Sequence, residues 1–129
     1  MSDLKPKGIA IHLNGEERHL LFTLNSIIEI QDHYDLALSE VINKLMDQKE
    51  SAQCMRYLMF VLLNDECERA HKEDFQTAFS VVTEKEVGAM IAQENYTEVL
   101  LSLLKAYGIS LPESKEEDND PNQMSALQK

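Results

Sequence analysis

Cys54-Met55-Arg56-Tyr57-Leu58-Met59-Phe60-Val61-Leu62-Leu63 decides the fold, because nine of these ten residues are apolar or aromatic and Arg56 is the only charge. A half-exposed helix repeats its apolar residues at i, i+3, i+4 and i+7. Here they cover every face, so the segment is either a buried strand or a buried helix. The flanks decide between them. Glu50 to His71 runs without a Gly or Pro, far beyond the usual strand of about 5–6 residues. Its Met, Leu, Gln and Glu residues favour helix. The reading is a central helix with other elements packed around its middle. A transmembrane span needs roughly 20 apolar residues, so this run is too short to cross a bilayer.

Working outward, 129 residues suit one domain with one core. The net charge of −11 speaks against nucleic-acid binding, which needs clustered Lys and Arg, and against anionic membrane surfaces. Two cysteines, Cys54 and Cys67, fall on the proposed central helix. At 1.5 Å per residue they stand about 20 Å apart, beyond disulfide reach. Met1 to Lys5 leads into no apolar signal segment. A reducing, cytoplasmic setting with free thiols is expected.

N-terminal to the central helix, residues 1–7 read as a flexible arm. Gly8 to Leu13 alternates, with Ile9, Ile11 and Leu13 on one side, and Asn14-Gly15 is the preferred pair for a tight type I′ turn. With Glu16 to Phe22 returning, this is a β-hairpin over 8–22. Thr23 caps a first helix whose expected apolar face is Leu24, Ile27, Ile28, Gln31 and Tyr34, ending at Asp35. Ser39 is the expected cap of a short helix with Val41, Ile42, Leu45 and Met46 inward, ending near Asp47.

C-terminal to it, Asp74 to Phe79 reads as a turn of helix anchored by Phe75, Ala78 and Phe79. Thr83-Glu84-Lys85-Glu86 is a capping box for a helix burying Val87, Met90 and Ile91. Asn95 with Glu98 repeats that logic for a last helix, whose face is Tyr96, Val99, Leu100, Leu103, Leu104 and Tyr107, closed by Gly108. Pro112 ends the folded part, and residues 112–129 read as an acidic disordered tail. The expected architecture is mainly α with a small N-terminal β-hairpin, an α+β class. About five helices over 23–108 pack around the central one in a single globular domain over 8–111.

Chemical signals are sparse. His71 follows Cys67 at i, i+4, but a zinc site needs two further ligands, so a buried thiol and an exposed histidine are expected. His12 and His19 flank the hairpin turn beside Glu16 and Glu17, and solvated strand residues are the better reading. His33 beside Asp32 is equally unspecific. The chain contains no GxSxG, P-loop or GxGxxG motif. No catalytic, cofactor-binding or metal-binding residue is assigned, and no enzyme activity is expected. The apolar features left over include Leu101, which falls off the stripe of the last helix, and Tyr107 near its end. Both are candidate partner-binding residues. Met55, Met59 and Met90 are flexible side chains that suit adaptable interfaces, although core filling explains each of them.

The order of parts carries a resemblance. Asn14-Gly15 leads to Glu16-Glu17-Arg18-His19-Leu20-Leu21-Phe22-Thr23, then into Leu24-Asn25-Ser26-Ile27-Ile28-Glu29-Ile30. The buried run Leu58 to Leu63 follows, then Val82 to Ile91, then a last helix before a polar tail. Over roughly Gly8 to Leu111 this resembles the tail assembly chaperones of long-tailed bacteriophages, prophages and gene-transfer agents. The resemblance implies a non-enzymatic protein of the host bacterial cytoplasm. It would bind the tape measure protein and keep its long helices soluble during tail assembly, with the tail tube protein as a second candidate partner. Many such chaperones are also made in a longer, frameshifted form. Helix-in-groove binding and surplus charge for solubility fit that work. The alternatives are a small acidic adaptor or regulatory module, and a metal-dependent enzyme using Cys67 and His71. An unpaired hairpin edge could also pair with a second copy into a homo-oligomer.

Overall fold

The computed structural model describes residues 8–74 and 76–108. The expected arm at 1–7, the tail at 112–129, Phe75 and the 109–111 boundary lie outside the described residues. Within them the chain forms two strands and five helices: β1 (Ile9–Leu13), β2 (Glu16–Leu20), α1 (Leu24–Tyr34), α2 (Leu38–Met46), α3 (Ser51–Glu73), α4 (Glu84–Met90) and α5 (Gln93–Tyr107). This is the α+β arrangement expected, mainly helical with one antiparallel hairpin.

Asn14 and Gly15 turn the hairpin with φ of 55° and 78°, the two positive angles that a type I′ turn requires. The register pairs Ile9 with Leu20, Ile11 with Arg18 and Leu13 with Glu16. Ile11, Leu13, Arg18 and Leu20 are buried, and the hairpin packs on α3 and α5. A lone two-stranded hairpin is marginal in water, so these helices supply the surface its inner face needs.

α3 is the axis of the domain. Cys54, Met55, Tyr57, Leu58, Met59, Val61, Leu62 and Leu63 are all buried, a run broken only by exposed Arg56 and half-buried Phe60. Helices α1, α2 and α4 and strand β2 all contact it. From α5, Val99, Leu103 and Leu104 join the same core. Gly108 closes α5 at φ 104° and donates its N–H to the Leu104 and Lys105 carbonyls, the left-handed C-terminal geometry that glycine adopts most readily.

Four local expectations are corrected. First, α1 is rotated: Ser26 and Ile30 are its buried residues, while Leu24 is 72% and Ile28 48% exposed. The Thr23 hydroxyl donates to Asp65 Oδ2 of α3 at 2.9 Å and accepts the Ser26 N–H at 3.1 Å, and Ser26 Oγ donates to the Thr23 carbonyl at 2.8 Å. These bonds hold the Ser26 side against α3 and turn Leu24 outward.

Second, α2 begins at Leu38 with Ala37 as its cap residue, not Ser39. Glu40 Oε1 accepts the Ala37 N–H at 3.1 Å and Gln31 Oε1 of α1 accepts the Leu38 N–H at 3.0 Å. Glu40 of the first turn and Gln31 of α1 thus satisfy two amides at a helix start that has no cap side-chain bond. Met46 is exposed, while Val41, Ile42 and Leu45 are buried. Third, residues 76–79 are not helical. Asp74 accepts the Gln76 N–H on its carboxylate and the Thr77 N–H on its carbonyl, a local turn that competes with helix. Ala78 is exposed. Fourth, α5 starts two residues before Asn95, whose Oδ1 accepts the Ala92 N–H at 2.7 Å. Asn95 therefore plays the returning partner rather than the cap. The Thr83–Glu86 box forms as expected, with reciprocal bonds of 2.8 and 3.0 Å.

Candidate functional site

Arg18 and Glu66 form the buried polar centre of the molecule. Arg18 is only 4% exposed. Its Nε donates to Glu66 Oε1 at 2.8 Å and its Nη2 to the Leu63 carbonyl at 3.1 Å. The guanidinium carbon sits 4.2 Å from the centroid of the Phe79 ring, a cation–π arrangement. Glu66 Oε1 also accepts the His19 N–H at 3.2 Å, and Glu66 Oε2 lies 3.1 Å from His19 Nδ1. Arg18 also lines a pocket of about 410 Å³ with Leu13, Glu16, Leu63, Val82 and Met90, and the cluster joins β2, α3 and the segment before α4. Its chemistry is that of a clamp. Each position is legible by itself, since Arg18 occupies an inward strand position between Glu16 and Leu20 and Glu66 falls on α3 one turn after Leu62, but nothing local pairs the two.

The two hairpin histidines differ. His12 is exposed opposite Glu17, whereas His19 pairs in register with Ala10. The imidazole of His19 spans Glu66 Oε2 and, through Nε2, Glu17 Oε2 at 3.2 Å. His12 is thus the solvated residue expected, and His19 is instead built into the clamp.

Cys67 is buried, and burial pushes its thiol up from the ordinary range. His71 Nε2 lies 2.7 Å from the Phe79 carbonyl, so that nitrogen carries the proton and donates to the backbone. A neighbouring thiol and imidazole held this way are fixed by packing and by the main chain. Among the described residues no group of three or more His, Cys, Asp and Glu is placed to hold a metal ion. Cys54 donates through Sγ to the Val41 carbonyl at 3.6 Å, and burial raises both its thiol and the Tyr34 hydroxyl beside it. His33 stacks on Tyr57 with centroids 3.9 Å apart and planes 15° from parallel. These rings pack on one another, and His33, Tyr34 and Tyr57 also line a small pocket of about 220 Å³ with Lys44, Glu50 and Glu84.

What remains is apolar surface. Leu24, Ile28, Met46, Val81 and Leu101 are large hydrophobic side chains exposed to solvent. Leu101 points outward from α5 at 40% exposure. Tyr107 does not share its situation. It is half-buried and meets Phe22 edge-on at 6.3 Å and 80°, closing the end of α5 against the β2–α1 junction. The two candidate residues are therefore not one patch on α5: one faces water and the other packs.

Two grooves flank α3. One, about 450 Å³, lies between the first turns of α3 and the α4–α5 junction, with Ala52, Met55, Arg56, Gly88, Ile91 and Tyr96 along it. The other, about 700 Å³, runs beside the last turns of α3 past Asn64, Cys67, His71, Phe79 and Val81. Asn64 pins the outer wall of the second by bonding both the N–H and the carbonyl of Val82, at 2.8 and 2.9 Å. No described helix is long and apolar enough to cross a membrane. Set against protein-family models, curated proteins and solved structures, the chain finds no match.

Proposed function

We propose that the chain is a non-enzymatic assembly chaperone of a phage or prophage tail, working in the bacterial cytoplasm. In this reading it binds the tape measure protein and keeps its helices soluble until the tail tube protein surrounds them. The observation that carries the reading is the pairing of exposed aliphatic side chains on several helices with a net charge of −11. Single exposed leucines are ordinary on any surface. Several of them on α1, α2 and α5, together with the two grooves beside α3, give a client helix places to bury its apolar seam. The surplus carboxylates then keep the complex in solution.

The test is co-expression with the longest helical protein encoded beside this chain. A client that aggregates alone and stays soluble in a complex supports the proposal. Leu101→Asp should preserve the helical circular dichroism and weaken that complex, since Leu101 is outside the core. A client whose solubility is unchanged, with no complex eluting, would overturn the proposal and favour an adaptor for a folded partner.

A further inference from the structure

The exposure of α1 is partly inverted relative to its polarity. Ser26, 1% exposed, faces the core together with Ile30, while Leu24 and Ile28 face solvent. Fraying does not explain this. Thr23, the residue before Leu24, is tied to Asp65 of α3, and the other end of α1 is stopped by Asp35 in a left-handed conformation at φ 57°, donating its N–H to the Gln31 carbonyl. Both ends of the helix are held, so its aliphatic row is held outward.

Charge then selects the occupant. At 100° per residue Leu24 and Ile28 lie one above the other, and Asp32 and Glu29 follow around the same exposed arc, with Asp35 beyond the helix end. Helix α1 contains no Lys or Arg. A second copy placing its own α1 here would set like carboxylates against one another, in a chain whose acidic residues outnumber its basic ones by 23 to 12. A client helix with cationic flanks meets no such repulsion.

We infer that the outer face of α1 is a docking site for an amphipathic helix with an apolar seam and a Lys- or Arg-bearing flank: the seam covers Leu24 and Ile28, and the cations face Glu29 and Asp32. The inference deepens the chaperone reading and rests on its premise that the chain binds client helices. It adds where one of them binds and what its sequence must look like.

The probes are two synthetic amphipathic peptides of about 14 residues, long enough for a marginal helix, with the same leucine seam and flanked by Lys in one and by Glu in the other. Titrated into the isotopically labelled full chain, the Lys peptide should move the amide resonances of residues 24–35, and the Glu peptide should not bind. Leu24→Ser with Ile28→Ser should weaken the Lys peptide by about tenfold or more without changing the unfolding midpoint, since both residues are exposed. Should that variant prove unstable, Glu29→Lys with Asp32→Lys supplies the second test, and it should exchange the preference from the Lys peptide to the Glu peptide. Equal binding of the two peptides, resonance changes confined to other elements, or an unchanged preference after charge reversal would overturn the inference. So would a dimer of the chain alone that Leu24→Ser with Ile28→Ser dissociates, because the occupant would then be a second copy. Soluble co-expression that survives these substitutions leaves the chaperone reading standing without α1. Peptide binding at α1 with failed co-expression removes the phage client and keeps the site.

Discussion

Arg18 and Glu66 show how a single pair can weigh on the whole fold. A buried ion pair is seldom a large net gain over well-packed apolar residues, yet removing one partner leaves the other charged and dry. Glu66→Ala should therefore destabilise the domain by about 3–5 kcal/mol in urea denaturation. Arg18→Met combined with Glu66→Leu should recover most of that loss. If the double variant were as unstable as the single one, the hydrogen bonds to the Leu63 carbonyl and His19 would be the main contribution instead. The cysteines make a second residue-scale prediction. Burial raises the thiols of Cys54 and Cys67 in the folded chain, so the unfolded chain loses these protons first as pH rises. Their stabilising effect is fully present below the ordinary thiol range near pH ~8.5 and is lost as pH climbs through the raised folded values. The urea midpoint should fall in that alkaline window, and Cys54→Ala with Cys67→Ala should flatten the fall. Legibility at this scale was uneven. The Asn14-Gly15 turn and the Thr83–Glu86 box are local, complete within four residues, and were readable. Arg18 and Glu66 stand 48 positions apart, and no local pattern reports such a partner.

Helix caps make the comparison between elements quantitative. Thr83 caps α4 alone, so Thr83→Ala should cost about 1 kcal/mol. Thr23 caps α1 and also donates to Asp65, which Arg69 already engages at 3.0 Å. Thr23→Ala should therefore cost more than Thr83→Ala, about 2 kcal/mol, and Thr23→Ser should restore most of it. Equal losses for the two alanine variants would show that the bond to Asp65 contributes nothing. The same bond explains why the face of α1 was misread. Periodicity selects Leu24, Ile27, Ile28 and Tyr34 as a sensible apolar stripe, but a hydroxyl bond to a helix 42 positions away turned the stripe partly outward. In α3 no such error was open, because an all-round apolar run has no face to choose. The missed start of α5 has a local cause: Asn can serve as cap or as returning partner, and sequence spacing alone does not separate the two.

Across the whole molecule, the architecture was legible because one helix is apolar on every side and must be surrounded. The surface was less so. Leu101 falls off the apolar stripe of α5 and does face solvent. Tyr107, near the helix end, packs on Phe22 instead. Exposure depends on what the rest of the chain brings to each spot: Phe22 of the β2–α1 junction packs on Tyr107, while Leu101 stays exposed.

The contact between β1 and α5 has a further consequence. These are the first and last described elements, so the inner side of the hairpin meets part of its packing surface only after everything from Leu13 to Gln93 has been made. At ordinary rates of translation that interval is several seconds. During it, the core residues Ile11 and Leu13 have emerged from the ribosome before α5, one of the helices on which the hairpin packs. The described part of the chain thus closes on α5, and a nascent chain stalled before Gln93 would itself be a sticky, unfinished product in need of shelter.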